Sequence, residues 1–269
     1  MARSFWAVLA ALALAGAATA QTPYVPDEWR YGRHASEGSL GYCIDKRDPD
    51  WPVASEIGQA IAGALLLQGK PFVIEDVTVG DDIDVLYHTL LDSCDLYLGF
   101  KLIPDTLPDW LTVTRPYYRT RYLLVAKKGG PAALADLPRA SAIAATLGTA
   151  ADLRLVQYLM ALPAAQRWPR YPMATDEAAL RAVLSGSAAA ALVWAPGLWA
   201  LQQLDPVFGT LAAIDPKPLA ETRIEVGAAL LGKESYLRSA VDQAIASLLA
   251  DGSLAAILAR HHFPADPPA

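Results

Sequence analysis

The sequence predicts an α/β chain folded as two lobes, each a mainly parallel sheet flanked by helices, with two strands joining them as a hinge. Three observations lead there. From residue 38 to 101, strand-like apolar runs alternate with helical spacing in the order βαβαβ, which requires a parallel sheet with right-handed crossovers. A second α/β run begins after Tyr122. Past Ile224 the chain returns through a mixed polar and apolar strand into two closing helices, so the first lobe is discontinuous. The expected boundaries are 38–124 with 222–263 for the first lobe, 125–221 for the second, and a tail over 264–269.

Taken in order, Arg3 precedes an almost wholly apolar stretch from Phe5 to Ala15 and then Ala18-Thr19-Ala20, the pattern of an export signal cleaved before Gln21. Residues 21–37 show no periodicity and read as an arm. Ser39 to Ile44 is the first strand, followed by a polar loop from Asp45 to Trp51. Val53 to Leu67 has helical apolar spacing and is stopped by Gly69 and Lys70-Pro71. Phe72 to Val79 reads as the second strand, Asp81 to Leu91 as a helix with acidic residues in its first turn, and Cys94 to Phe100 as the third strand. A Pro-broken loop and the aromatic turn Thr114-Arg115-Pro116-Tyr117-Tyr118-Arg119 then lead to a strand from Tyr122 to Lys127.

In the second unit, Ala132 to Leu137 is a short helix, Ser141 to Ala145 a strand, and Thr149 the N-cap of a helix to about Ala161. Asp176 caps the next helix, to Leu184. Ala189 to Trp194 is a strand, and Pro196 begins a helix to Leu204. Ile224 to Leu231 is the returning strand, before helices from Glu234 to Ala250 and Ser253 to His261.

The net charge of −6 does not favour nucleic acid or an anionic membrane surface, and the basic residues form no block. After the leader, no apolar run approaches the ~20 residues of a membrane span. The product is expected to be exported, most simply to a bacterial periplasm. Cys43 and Cys94 sit in strands of unequal remaining length, which offsets them by about two or three residues at ~3.3 Å each. That offset is comparable to the ~7 Å limit for a bridge, so two buried free thiols are expected.

The order of strand, Pro-broken loop, T-x-P-Y-Y and exit strand, followed by Leu147-Gly148-Thr149 and then Leu184-Ser185-Gly186 with its downstream apolar run, resembles the family 3 periplasmic solute-binding proteins across residues 38 to 263. Cys94-Asp95, Arg115-Pro116-Tyr117-Tyr118-Arg119 and Val193-Trp194-Ala195-Pro196 are similar to the MoxJ and XoxJ branch, which accompanies quinoprotein alcohol dehydrogenases. The resemblance implies a type II bilobed fold, a ligand in the interlobe cleft, no catalysis and no cofactor.

In an open α/β sheet, ligands sit beyond the carboxyl ends of strands. Two facing lobes therefore select Asp45 and Trp51 after the first strand, Gly99, Phe100 and Lys101 after the third, and Tyr118 at the turn. The second lobe offers Thr149 and Ala150, and Trp194 at a strand end. Thr149 and Ala150 open a helix whose free N–H groups suit an anion, although an ordinary N-cap reads the same. Trp51 and Trp194 either face a ligand or are buried structure. Tyr117 and Tyr118 read more readily as braces of the crossover. Asp45, Asp48 and Asp50 crowd one loop, but Lys46 and Arg47 between them favour a polar loop over a cation site.

The resemblance also implies an arginine near Leu107 and an aspartate where Trp194 stands, the two partners of an α-amino acid zwitterion. Both are missing, so the expected ligand is a small neutral, aromatic or apolar solute other than a free α-amino acid, delivered to an ABC permease. The rival expectation is an accessory that binds a periplasmic PQQ-dependent alcohol (methanol) dehydrogenase. No nucleotide, nucleophile-elbow or metalloprotease motif appears.

Overall fold

The structure, a computed structural model, describes residues 38–75, 83–103 and 107–268. The expected leader (1–20) and arm (21–37), and the stretches 76–82 and 104–106, lie outside the described residues, as does Ala269. The first sheet is built from β1 (Ser39–Asp45), β2 (Gln68–Ile74), β3 (Leu96–Lys101), β4 (Leu111–Val113) and β10 (Arg223–Leu231). β1 pairs in parallel with both β2 and β3, and β10 runs antiparallel to β3 and β4. The helices beside it are α1 (Trp51–Ala64) and α2 (Ile83–Asp92). The second sheet holds β6 (Ile143–Thr146), β7 (Arg170–Met173), β8 (Ala190–Trp194) and β9 (Leu211–Ile214), with α3 (Ala150–Ala161), α4 (Asp176–Ser185) and α5 (Ala195–Leu204). The helices α6 (Ser235–Ala250) and α7 (Ser253–Arg260) follow β10.

One strand belongs to both sheets. The first four residues of β5 (Tyr118–Lys127) pair with β10, from Val226↔Tyr118 to Arg223↔Arg121, and the rest pair with β8 and β9. The chain thus crosses between sheets along β5 and returns through the segment between β9 and β10. Alternation along the strands puts one set of side chains on each face. Leu40, Tyr42 and Ile44 of β1 pack with Val53, Ile57 and Ile61 of α1, in a cluster that runs through Tyr118, Tyr122 and Leu124 into Leu192 and Leu155. Cys43, Tyr97 and Ala229 face Leu86 and Leu90 of α2, while Val125, Ala191 and Val193 face Leu180 and Val183 of α4.

Several expectations are corrected. β2 begins four residues early, and Pro71, read as part of a helix stop, lies inside it opposite Tyr42. At the end of the sheet a strand has one neighbour, so proline's missing N–H costs little there. β5 starts at Tyr118 because the aromatic turn is already paired with β10. β4, β7 and β9 are three or four residues long and carry no readable alternation. α4 is capped by Thr175, whose hydroxyl accepts from the Ala178 amide, and not by Asp176. The ring of His261, just past α7, meets Glu56 of α1 at 2.7 Å, beside Arg260.

The cysteines are bonded, Cys43 to Cys94, with Cα atoms 5.7 Å apart. The offset argument treated Cys94 as part of a straight strand. It lies in a bend before β3, where Asp95 donates its amide to the Gly41 carbonyl and accepts the Gly41 amide on its carboxylate, both at 2.9 Å. That exchange folds the chain back onto β1 and brings Cys94 within bridging reach. Among the described residues no single helix is long and apolar enough to cross a membrane.

Candidate functional site

The site is assembled from the loop after β1, the end of β3 and the start of α1 on one side, and from β8, α4 and α5 on the other. In the loop, the carboxylate of Asp45 accepts the Arg47 amide at 2.9 Å and is gripped by both arms of the Arg47 guanidinium. Asp45 is therefore buried and held within its own loop. Asp50 stands at the start of α1 but does not cap it with its side chain. Its carboxylate turns inward and accepts the hydroxyl of Tyr118.

Tyr118 and Tyr117 are braces. Tyr118 is 1 % exposed. Tyr117 accepts the Gly99 amide on its hydroxyl at 2.7 Å. Gly99 holds φ +81°, a region that favours glycine. A Cβ there would lie 3.4 and 3.5 Å from the Asp50 carboxylate oxygens and 3.6 Å from one of Asp48. Two carboxylates thus lie in ordinary contact range of this backbone turn, whose positive φ is what calls for glycine. Phe100 is partly buried and packs against the cluster around Cys43 and Tyr97.

Lys101 projects across the cleft. Its ammonium lies 5.1 Å from the centroid of the Trp194 ring, within cation–π range. Trp194 is itself packed on Tyr122 at 4.8 Å and 4 % exposed. Its amide donates to Asp176 at 3.2 Å, and the other oxygen of Asp176 accepts from the Thr146 hydroxyl. Gly197 is required beside it, because a Cβ there would sit 2.5 Å from the Asp176 carboxylate. Asp176 thus places a carboxylate at the strand end where Trp194 stands. Sequence reasoning missed it by reading Asp176 as a cap.

Thr149 caps α3, accepting from the Asp152 amide at 3.2 Å, and Ala150 is the first helical residue. The negative charge nearest this N-terminus is the chain's own: Asp152 accepts the Gly148 amide and a bidentate Arg170 at 2.6 Å. Trp51, at the opposite wall, is 37 % exposed. It lines a cavity of 320 Å³ with Arg47 and Asp48 on one side and Asp176, Gly197 and Leu201 on the other.

The expected neutral, aromatic cleft is accordingly a charged one with aromatic faces. Burial is the main cause that pushes Asp48 up to about 7, reinforced by the charge of Asp50 and opposed by Lys101. Burial likewise raises Asp50, against the Tyr118 hydrogen bond and Lys101. It raises Asp176 too, against Thr146 and Lys101.

No protein-family model matches the sequence, and no curated protein does. Solved structures are similar in fold. The chain is 18 % identical to a double mutant of the VFT2 domain of BvgS from Bordetella pertussis, with a TM-score of 0.64 over 89 % of this chain and 99 % of that one. It is also 18 % identical to an amino acid ABC transporter substrate-binding protein from Streptococcus pneumoniae bound to L-arginine, with a TM-score of 0.58 over 88 % and 98 %. A third is the ancestral amino acid-binding protein AncCDT-1, a precursor of cyclohexadienyl dehydratase, at 16 % identity and TM-score 0.60 over 85 % and 97 %. The chain has the two-lobed type II periplasmic binding protein fold.

Proposed function

We propose that this chain is a non-catalytic, exported binding protein that captures a small solute between its two lobes, 38–124 with 222–263 and 125–221. The observation that carries the reading is the cavity shared by the loop after β1 and by α4 and α5, with β5 and the returning segment as the crossings beneath it. A type II fold bends at such crossings, and closure surrounds a ligand with groups from both lobes. Hand-over to a membrane permease is the role that goes with such capture in the periplasm.

The solute differs from a free α-amino acid in this reading. The loop position near Leu107 offers no guanidinium, and among the described residues the one arginine lining the cavity, Arg47, is held by Asp45. A ligand carboxylate would lack the bidentate partner that such a clamp uses. No observation in the structure favours the dehydrogenase-accessory alternative, since the Tyr117-Tyr118 and Trp194 segments that suggested it build the interior of the cleft. Thermal unfolding against amino acids, amines, aromatic acids and cofactors tests the proposal: a ligand at 100 times its Kd adds about 2.7 kcal/mol of stability. A panel that leaves the melting temperature unmoved throughout would overturn it.

A further inference from the structure

The residues that follow α7 run over the strand by which the chain crosses between sheets. Arg119 donates its amide to the Asp266 carbonyl at 2.8 Å and accepts the Asp266 amide at 2.9 Å, and the Thr120 hydroxyl donates to the Pro264 carbonyl at 2.6 Å. Both residues belong to the part of β5 that pairs with β10, so the crossing is bonded to β10 and to residues 264–266 at once. Ahead of those bonds, the buried ring of Phe263 meets two others edge-on: Tyr118 at 5.3 Å, where β5 begins, and Trp199 of α5 at 5.2 Å. Tyr118 pairs into the first sheet and α5 packs on the second, so one side chain spans the seam between them. The seam beside it is not filled: Arg119, Arg121, Leu123, Ala195 and Arg223 line a cavity of 320 Å³ against residues 263–266.

This contact has a counterweight. The indole nitrogen of Trp199 is buried and has no hydrogen-bond partner among the described residues. A buried N–H left unpaired costs the arrangement its desolvation penalty, whereas the edge-to-face rings favour it. We propose that residues 263–266 are a strap across the hinge: Phe263 holds α5 in the lobe arrangement of this structure, the orphan N–H of Trp199 opposes it, and the lobes are poised between the two. The inference rests on the two-lobe reading above and adds the device that sets its hinge. A bend that moves α5 away from the strap breaks the ring contact and admits water to the indole. The same helix turns Gly197, Ala200 and Leu201 to the cleft cavity, so a solute in the cleft and the strap behind it act on one element.

Spin labels at Tyr236→Cys in α6 and Met160→Cys in α3, two exposed positions, report the distance between the lobes by double electron–electron resonance; the native cysteines are bonded and take no label. Phe263→Leu removes the ring and keeps an apolar side chain. It should raise about five-fold the ratio of molecules away from the distance of this structure to those at it. Trp199→Phe keeps a ring against Phe263 and removes the orphan donor, so it should lower that ratio. Phe208→Leu, inside the core of the second sheet, should leave it unchanged, with circular dichroism confirming that each variant is folded. An unmoved distribution in Phe263→Leu, a shift of the same sign in Trp199→Phe, or an equal shift in Phe208→Leu would each overturn the strap. If Phe263→Leu does not fold, Thr120→Val, which removes only the bond to Pro264, takes its place with the same expected direction and the same contrary result. The measurement uses ligand-free protein, so a failed strap leaves solute capture to be decided separately by the melting panel.

Discussion

Replacing Asp48 with asparagine should stabilise the protein at neutral and alkaline pH and leave it unchanged in acid. In the folded chain, burial and the neighbouring Asp50 lift the Asp48 carboxyl from an ordinary 3.8 to about 7. The fold therefore prefers the protonated form. The associated stability is fully present below the unfolded value near 3.8 and is lost as pH rises through the folded value near 7. Each factor of ten in proton affinity corresponds to about 1.4 kcal/mol, so a shift of about three gives a ceiling of about 4 kcal/mol. Asp48 is half-buried and lines a cavity reached by water, which reduces the expected gain to about 2 kcal/mol. The other groups facing it, Asp45, Arg47, Asp50, Tyr97 and Lys101, with Asp176 across the cleft, are common to both proteins and largely cancel in the comparison. Urea unfolding of wild type and Asp48→Asn at pH 4 and pH 8 measures the difference directly. A variant no more stable than wild type at pH 8, or equally stabilised at both pH values, would refute the reasoning. A carboxylate kept at a cost in stability is the pattern expected of a binding group.

Reducing the Cys43–Cys94 bond, which closes a separation of 51 residues, should lower the unfolding free energy by about 4 kcal/mol in urea titrations with and without reductant. Gly99→Ala should cost about 1–2 kcal/mol, because it forces a side chain into φ +81° and sets a methyl group against the Asp48 and Asp50 carboxylates; the same titration checks it. Tyr118→Phe removes the hydroxyl that donates to Asp50 and should cost about 2 kcal/mol where that carboxyl is ionised. The loss should shrink as falling pH protonates Asp50, whose carboxyl burial raises above its ordinary range, as paired melts across a pH series would show.

Much of the architecture was legible because local chemistry and global position agree. Gly148-Thr149-Ala150 announces a helix start, and Thr149 caps α3 as expected. The apolar runs of β1, β8 and β10 are long enough to read, being buried along most of their length, and β3 is buried over its first half. β2 was not, since its side chains are mostly exposed and its proline looks like a stop until the strand is seen at the end of the sheet. Thr175-Asp176-Glu177 offers two adjacent residues able to cap α4. Only the nearness of Trp194, eighteen positions on, decides that Asp176 turns to the cleft instead. The same holds for the acidic loop: its composition shows three aspartates, but Arg47 engages Asp45, Tyr118 engages Asp50, and Gly99 makes room for Asp48. Those three partners come from three different parts of the fold, and no spacing rule joins them.

The capture of a small solute by charged groups from both lobes can be tested on protein unfolded and refolded to free it of any bound molecule. A filtrate of small molecules from the producing cells is then added to wild type and to the folded Asp176→Asn, Trp194→Leu double variant, and melting is followed by circular dichroism. The melting temperature of wild type should rise and that of the double variant should not. An unmoved wild type, or an equal rise in both proteins, would contradict capture in the cleft.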